Sequence, residues 1–288
     1  MNARFAPALR ATAAAFAALL CAGLLGCAAP AGGGAVAPGA GSRTGEGGPT
    51  ADAAPARSAA DANTADRRAR VRLELAALYF SRGQVNTALD ELKLAMAANP
   101  DLHEAHSLRG LIYASLGDAP VAEQSFKRAL ELNPRDGDTM HNYGWFLCQQ
   151  RRFDEAEATF LRATALPSYG ESQRTLLTRG VCQARAGRWA EAERTLSRSY
   201  ELDPANPVTA YNLSDVLLRR GELERARFYV RRINQVSEQV TAQSLWLAAR
   251  IERRLGNMEG LQDFGRQLRE KFPQSPETLQ LERGRFDD

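Results

Sequence analysis

Few residues in this chain could do chemistry. There are three histidines, His103, His106 and His141, and four cysteines, Cys21, Cys27, Cys148 and Cys182. His103 and His106 stand at i,i+3, which puts both imidazoles on one side of a helix. His103 falls where a helix begins, however, and no acid-and-cysteine set completes a tetrahedral shell. No metal and no cofactor is expected. Cys148 follows His141 by two helical turns, too far for a thiol to touch a general base. No clustered acid–base pair stands out. An enzyme that presents its site on a helical framework is the weakest functional reading, and no small-molecule substrate is expected.

The composition agrees. The chain has 288 residues, 44% hydrophobic and 25% charged, with a formal charge of +3. Arg4 and Arg10 lie in the first 27 residues, which carry no acid, so the rest is closer still to neutral. Nucleic-acid binding needs a basic face that releases counterions, and none is expected here.

Residues 1–27 read as an address. Arg4 and Arg10 precede the apolar run AFAALLCAGLLGC, and no charge occurs from Ala11 to Ala29. As a transmembrane helix the run is marginal in length, and no stop-transfer charges follow it. Leu24-Leu25-Gly26-Cys27 resembles the lipobox of bacterial lipoproteins. That resemblance implies cleavage before Cys27 and acylation of Cys27, which anchors the chain because each buried CH₂ contributes about 0.8 kcal/mol. Ala28, where an Asp would mark inner-membrane retention, implies an outer-membrane location facing the periplasm. Residues 28–65 are Ala, Gly, Pro, Ser and Thr with few large apolar side chains. They are expected to be a disordered tether with a root-mean-square reach of about 35 Å.

From residue 66 the chain repeats itself. Gly110 and Tyr113 have counterparts 34 residues earlier in Ala76 and Tyr79, and 34 later in Gly144 and Leu147. The series continues through Gly180, Ser214 and Ala248. A second series of small residues runs Ala88, Ala122, Ala156, Ala192, Ala226, each followed four residues on by Leu92, Phe126, Phe160, Leu196 or Val230. Gly83, Gly117, Gly187 and Gly221 separate the halves, and Pro100, Pro134 and Pro204 close units. The pattern resembles the tetratricopeptide repeat (TPR), two antiparallel helices per unit. The expected fold is all-α, a right-handed superhelix of six units starting near 69, 103, 137, 171, 207 and 241. Residues 66–273 form this domain and 274–288 a C-terminal tail. In the sixth unit Gly260 replaces the Ala, as suits an atypical terminal repeat. A two-residue insertion in PSYGESQ before the fourth unit should bend the stack or lengthen a helix.

In such repeats the first helices line the concave face. The inward places hold Asp138, His141, Trp145, Cys148 and Gln149 in the third unit, Arg174, Leu177, Val181 and Arg185 in the fourth, and Val208, Tyr211, Asp215, Leu218 and Arg219 in the fifth. Trp145 is either an interaction anchor or packing between first helices. Asn142 and Asn212 occupy a place that some relatives use to clamp a terminal carboxylate. The lysines completing that clamp are missing, with His141 and Tyr211 there instead. The candidate partner-binding set is His141, Asn142, Trp145, Arg174, Tyr211, Asn212 and Arg219. With Cys21 in the leader and Cys27 acylated, Cys148 and Cys182 remain, on first helices of adjacent units. They are either a disulfide or two buried thiols, and the oxidising compartment favours the disulfide.

Within the third unit, Asn142-Tyr143-Gly144-Trp145-Phe146-Leu147-Cys148-Gln149, followed by Arg152-Phe153-Asp154-Glu155-Ala156, resembles the signature of the type IV pilus biogenesis and stability lipoproteins, the PilF/PilW family. The likeness covers residues 66–273. It implies a pilotin: a lipid-anchored scaffold that helps the outer-membrane secretin reach the membrane and multimerise, and that stabilises pili. It points to Asn142, Tyr143, Trp145 and Phe146 as groove residues, of which Tyr143 and Phe146 read as core. The other reading is a periplasmic adaptor for cell-wall enzymes or outer-membrane protein assembly.

Overall fold

The computed structural model describes residues 59–286. The expected leader, Cys27 and residues 28–58 of the tether lie outside the described residues. Every regular element described is helical. The chain divides into two compact parts, one ending at Leu108 and one beginning at Arg109.

The first part holds α1 (Ala59–Ser81), α2 (Val85–Ala98) and the start of α3 (His103–Ser115). Helix α1 begins ahead of the expected boundary at 66, so residues 59–65 belong to a helix and not to the tether. The reason is local: past Pro55 the run AADANTA has no Gly or Pro, and Asp61 sits in the first turn, where the helix dipole favours an acid. Ala76, Ala88, Leu92 and Ala95 are buried between α1 and α2.

The second part continues with α4 (Ala119–Leu132), α5 (Gly137–Gln149), α6 (Phe153–Thr164), α7 (Ser172–Arg185) and α8 (Trp189–Leu202). Then come α9 (Pro207–Arg219), α10 (Leu223–Asn234), a 3₁₀ turn (Ser237–Gln239), α11 (Ala242–Arg254), α12 (Met258–Lys271) and α13 (Pro276–Glu282). Helices α3, α5, α7, α9 and α11 start within one residue of the expected unit starts. Between units, the Asn and Asp ahead of Pro turn the chain with their own side chains. Asn133 Oδ1 accepts from the Arg135 N–H (3.2 Å), and Asp203 Oδ1 from the Ala205 N–H (3.2 Å). Within units, the turns need a left-handed residue. Glycine supplies it at Gly117, Gly187, Gly221 and Gly256, and Arg151 takes it in the third unit with φ 62°.

The packing rule of the repeat is a glycine on the first helix facing a large side chain on the second. A Cβ on Gly110 would stand 2.7 Å from the Phe126 ring, one on Gly144 2.7 Å from Phe160, and one on Gly180 2.6 Å from Leu196. In the fifth unit Ser214 takes the place, and its hydroxyl donates to the Ala226 carbonyl (2.8 Å). Phe126 also reaches the next unit, with its ring centroid 5.6 Å from Tyr143 and 5.7 Å from Phe146.

Two expectations meet the structure at the insertion and at the C-terminal end. The insertion before the fourth unit, expected to bend the stack or lengthen a helix, leaves the flanking helices α6 and α7 at ordinary lengths of 12 and 14 residues. It stays in the 165–171 connection and lays the Tyr169 ring over the start of α5, where a Cβ on Gly137 would meet it at 2.4 Å. The residues expected to be a tail form α13, started by Ser275, whose hydroxyl accepts from the Thr278 N–H (3.1 Å), with Pro276 in the first turn. Helix α13 packs on α11 and α12. In the sixth unit, Gly260 makes room for the buried Glu252 carboxylate, which accepts from Asn257 (2.8 Å) and Arg231 (2.7 Å).

Gly144→Ala drives a methyl into the Phe160 ring. A loss of about 1–3 kcal/mol is expected, with an unchanged helical far-UV signal, measured by urea unfolding.

Candidate functional site

The first helices of the second part pack side by side, α5 on α7, α7 on α9 and α9 on α11. The seam between α5 and α7 is the most heavily tied. Cys148 and Cys182 lie at disulfide distance, Sγ to Sγ 2.17 Å with Cα atoms 5.9 Å apart, and both are buried. His141 Nδ1 hydrogen-bonds Thr175 Oγ1 at 2.9 Å, and the Tyr169 hydroxyl reaches the same Thr175 oxygen at 2.9 Å. Arg174 pairs with Asp138 at 2.7 Å. Two of these links join residues 34 apart, the repeat length itself.

The seam changes the roles of several candidates. His141 is only 3% exposed, so it is interior packing and not a partner contact. Burial, helped by the Arg174 cation, lowers its pKa to about 3 and keeps the imidazole neutral. Place in the repeat set its helix face, but the neighbouring first helix covers that face. Arg174 is committed to Asp138 and lies near Glu171. Asn212 turns its amide back to the Val208 carbonyl (2.8 Å), and Asn142 is half-buried. Cys148 and Leu218 are buried. Tyr143 and Phe146 are core, as their places implied.

The part of the face that stays accessible is aromatic and cationic. Trp145 is half-buried against the core around Phe126 and Phe160, and the Arg185 guanidinium lies 5.2 Å from its ring centroid. Trp145 thus packs on the core on one side and is covered by a cation–π contact on the other. Arg219, the counterpart of Arg185 one unit on, lies 5.1 Å from the ring of Trp189, the first residue of α8, while its Nε pairs with Asp215 at 2.9 Å. Half-buried Tyr211 packs on the same core as Trp189, its hydroxyl pKa raised by burial and by Asp215. Aromatic and arginine side chains of this kind dominate protein–protein hot spots. Sequence reasoning missed Thr175 and Tyr169. Adding 34 to His141 gives Thr175, but nothing in the residue pattern singles out Tyr169.

On the other side of the third unit, Glu123 accepts from Arg152 (2.8 Å) and Tyr143 (3.2 Å), and its pKa falls to about 2, chiefly through the Arg152 hydrogen bond. In the first part, the buried His106 ring is bonded to the Pro100 carbonyl at 2.8 Å. Among the described residues no group of three or more His, Cys, Asp or Glu side chains converges as metal ligands. No described helix is long and apolar enough to cross a membrane.

Comparison with known proteins agrees with this geometry. Tetratricopeptide-repeat models match residues 73–137, 107–171 and 144–207, and a second such model matches 183–249. The type IV pilus assembly protein PilF of Pseudomonas aeruginosa is 26% identical over 210 residues, 73% of this chain and 83% of the relative. The crystal structure of PilW, a widely conserved type IV pilus biogenesis factor, superposes with a TM-score of 0.70 at 29% identity, covering 74% of this chain and 97% of that one. The structure of Pseudomonas aeruginosa PilF shares the fold, with a TM-score of 0.67 at 24% identity over 77% of this chain and 99% of that one.

Two outcomes are expected. With the Cys148–Cys182 bridge formed, replacing both cysteines by Ala lowers stability by up to about 4 kcal/mol, from the loop-closure entropy of a loop of this length. Reductant should shift the wild-type urea midpoint and leave the variant's unchanged. His141 stays neutral when folded but takes up a proton near pH 6.5 when unfolded. Its contribution is thus present above pH 6.5 and is lost as pH falls toward 3, with a slope of up to about 1.4 kcal/mol per pH unit. Unfolding free energies of His141→Gln measured between pH 7 and pH 5 should show a flatter slope than wild type.

Proposed function

This chain belongs to the tetratricopeptide-repeat family and is a homologue of the PilF and PilW type IV pilus biogenesis factors, and from that premise we propose that it is a lipid-anchored pilotin. In this reading Cys27 is acylated behind the Leu24-Leu25-Gly26-Cys27 box. The residues up to Ala59 tether the repeats to the outer membrane, facing the periplasm. The repeats hold a subunit of the pilus secretin, so that delivery to the membrane and ring assembly happen together. The work is scaffolding and not catalysis.

The observation that carries this reading is the likeness to PilW, which spans nearly the whole of that structure and three quarters of this chain. The physical properties of the face support it. A preformed surface spends little of its binding energy on reorganisation, and the α5–α7 seam holds that surface in one arrangement. We assign partner contact to the accessible side of Trp145 with Arg185, and to Tyr211 and Arg219. His141 acts from within and Arg174 from the surface, both by positioning α5 against α7. Lipidation adds the destination: a chain held at the membrane captures its partner there and not in free solution.

Cys27→Ala should leave the repeats folded and release the protein from the outer membrane. It should also reduce heat-resistant secretin multimers in the membrane fraction by several-fold. Trp145→Ala should lower the multimers while the protein stays anchored. Normal multimers and normal pili in cells producing Cys27→Ala, or in cells lacking the gene, would overturn the pilotin reading.

A further inference from the structure

A second surface, separate from the first-helix face, lies on the second helix of the fifth unit. Phe228 on α10 is 54% exposed, and Val236, just after the helix, is 41% exposed. They line one cleft with Glu224, Arg227, Arg231 and Arg232. The repeat supplies its own comparison. The place two residues beyond the small Ala of each second helix holds Asp90, Gln124, Ala158 and Arg194 in the earlier units, and Gln262 in the sixth. Only the fifth unit puts a large aromatic there. The connection behind it departs as well. Where the first, second and fourth units close with Asn-Pro or Asp-Pro, this one runs Asn234-Gln235-Val236-Ser237-Glu238-Gln239 through a 3₁₀ turn, which forms the wall carrying Val236. Two departures from the repeat thus converge on one exposed apolar spot.

The charges around it are unbalanced. Arg227 pairs with Glu224, and Arg231 with the buried Glu252. Arg232 lies 5.7 Å from the Phe228 ring centroid and has no carboxylate partner among the described residues. A lone guanidinium beside exposed apolar side chains complements a segment that carries a carboxylate next to an apolar residue. Glu224 on the rim and the concave form favour a polypeptide over a sheet of phosphate headgroups.

We propose that the α10 cleft docks an acidic polypeptide segment of a partner protein. An apolar side chain seats on Phe228 and Val236, and a neighbouring Asp or Glu meets Arg232. A random twelve-residue peptide library displayed on phage and selected on the full chain tests this. The expected result is enrichment of peptides with an acid within a few residues of Leu, Phe or Trp. As synthetic peptides, these should bind at least tenfold more weakly to Phe228→Ser and to Arg232→Glu, while Trp145→Ala binds as wild type. Both variants are at exposed positions, and thermal melts check that each is folded. The absence of enrichment, enriched peptides without acids, or peptides that only Trp145→Ala weakens would each overturn the proposal. So would binding of phosphatidylglycerol vesicles that Phe228→Ser abolishes while no peptide is selected.

Discussion

In the second, third and fourth units, the distance between the paired helices is set where a side chain is missing. The rings of Phe126 and Phe160 and the branched end of Leu196 occupy the volume that a methyl on Gly110, Gly144 or Gly180 would need. The backbones can therefore approach closely while a large apolar group is buried at the contact. Close packing tolerates little change in such a volume. Each second helix is thus fixed on its first helix, and the first helices line up at a regular interval. The face they share inherits its spacing from these contacts and not from the residues exposed on it.

Fixing each unit internally does not fix one unit to the next. That falls to contacts between equivalent or nearly equivalent places. The seam of α5 and α7 combines a sulfur pair at bonding distance, a Tyr169–Thr175–His141 chain and the Asp138–Arg174 ion pair. These differ in kind and so in what weakens them. The sulfurs respond to reductant, the imidazole to acid, and the exposed ion pair to salt. The buried links set the position of α5 against α7, and so of Trp145 on α5 against Arg185 on α7.

The repeats were legible because small residues recur at one pitch, and the pitch also gave the helix starts. The third unit's turn was less legible, since Arg151 adopts there the left-handed conformation that glycine takes in other units. The partner face was only partly legible. Position in a repeat gives the direction in which a side chain leaves its helix, but not what the adjacent helix sets against it. His141 leaves toward the open face and is covered, whereas Trp145 leaves the same way and keeps one side accessible under Arg185. Tyr169 could not be read at all, because an inserted residue has no equivalent in other units. The expected ends of the domain were drawn where the repeat pattern faded, yet α1 and α13 extend past it on the strength of ordinary helix-start residues.

A contact between a place and its equivalent one unit later has no natural end. The last unit presents the same kind of surface to solvent that every earlier unit presents to its successor, and another chain could continue the stack into an open fibre. Here that surface is occupied. Helix α13 lies where a seventh first helix would stand. The Phe286 ring packs tilted against Trp246 with ring centroids 4.9 Å apart, and Arg253 covers Phe286 at 4.1 Å. This short closing segment lets the protein use translational repetition as a building rule and still stop growing at a defined length.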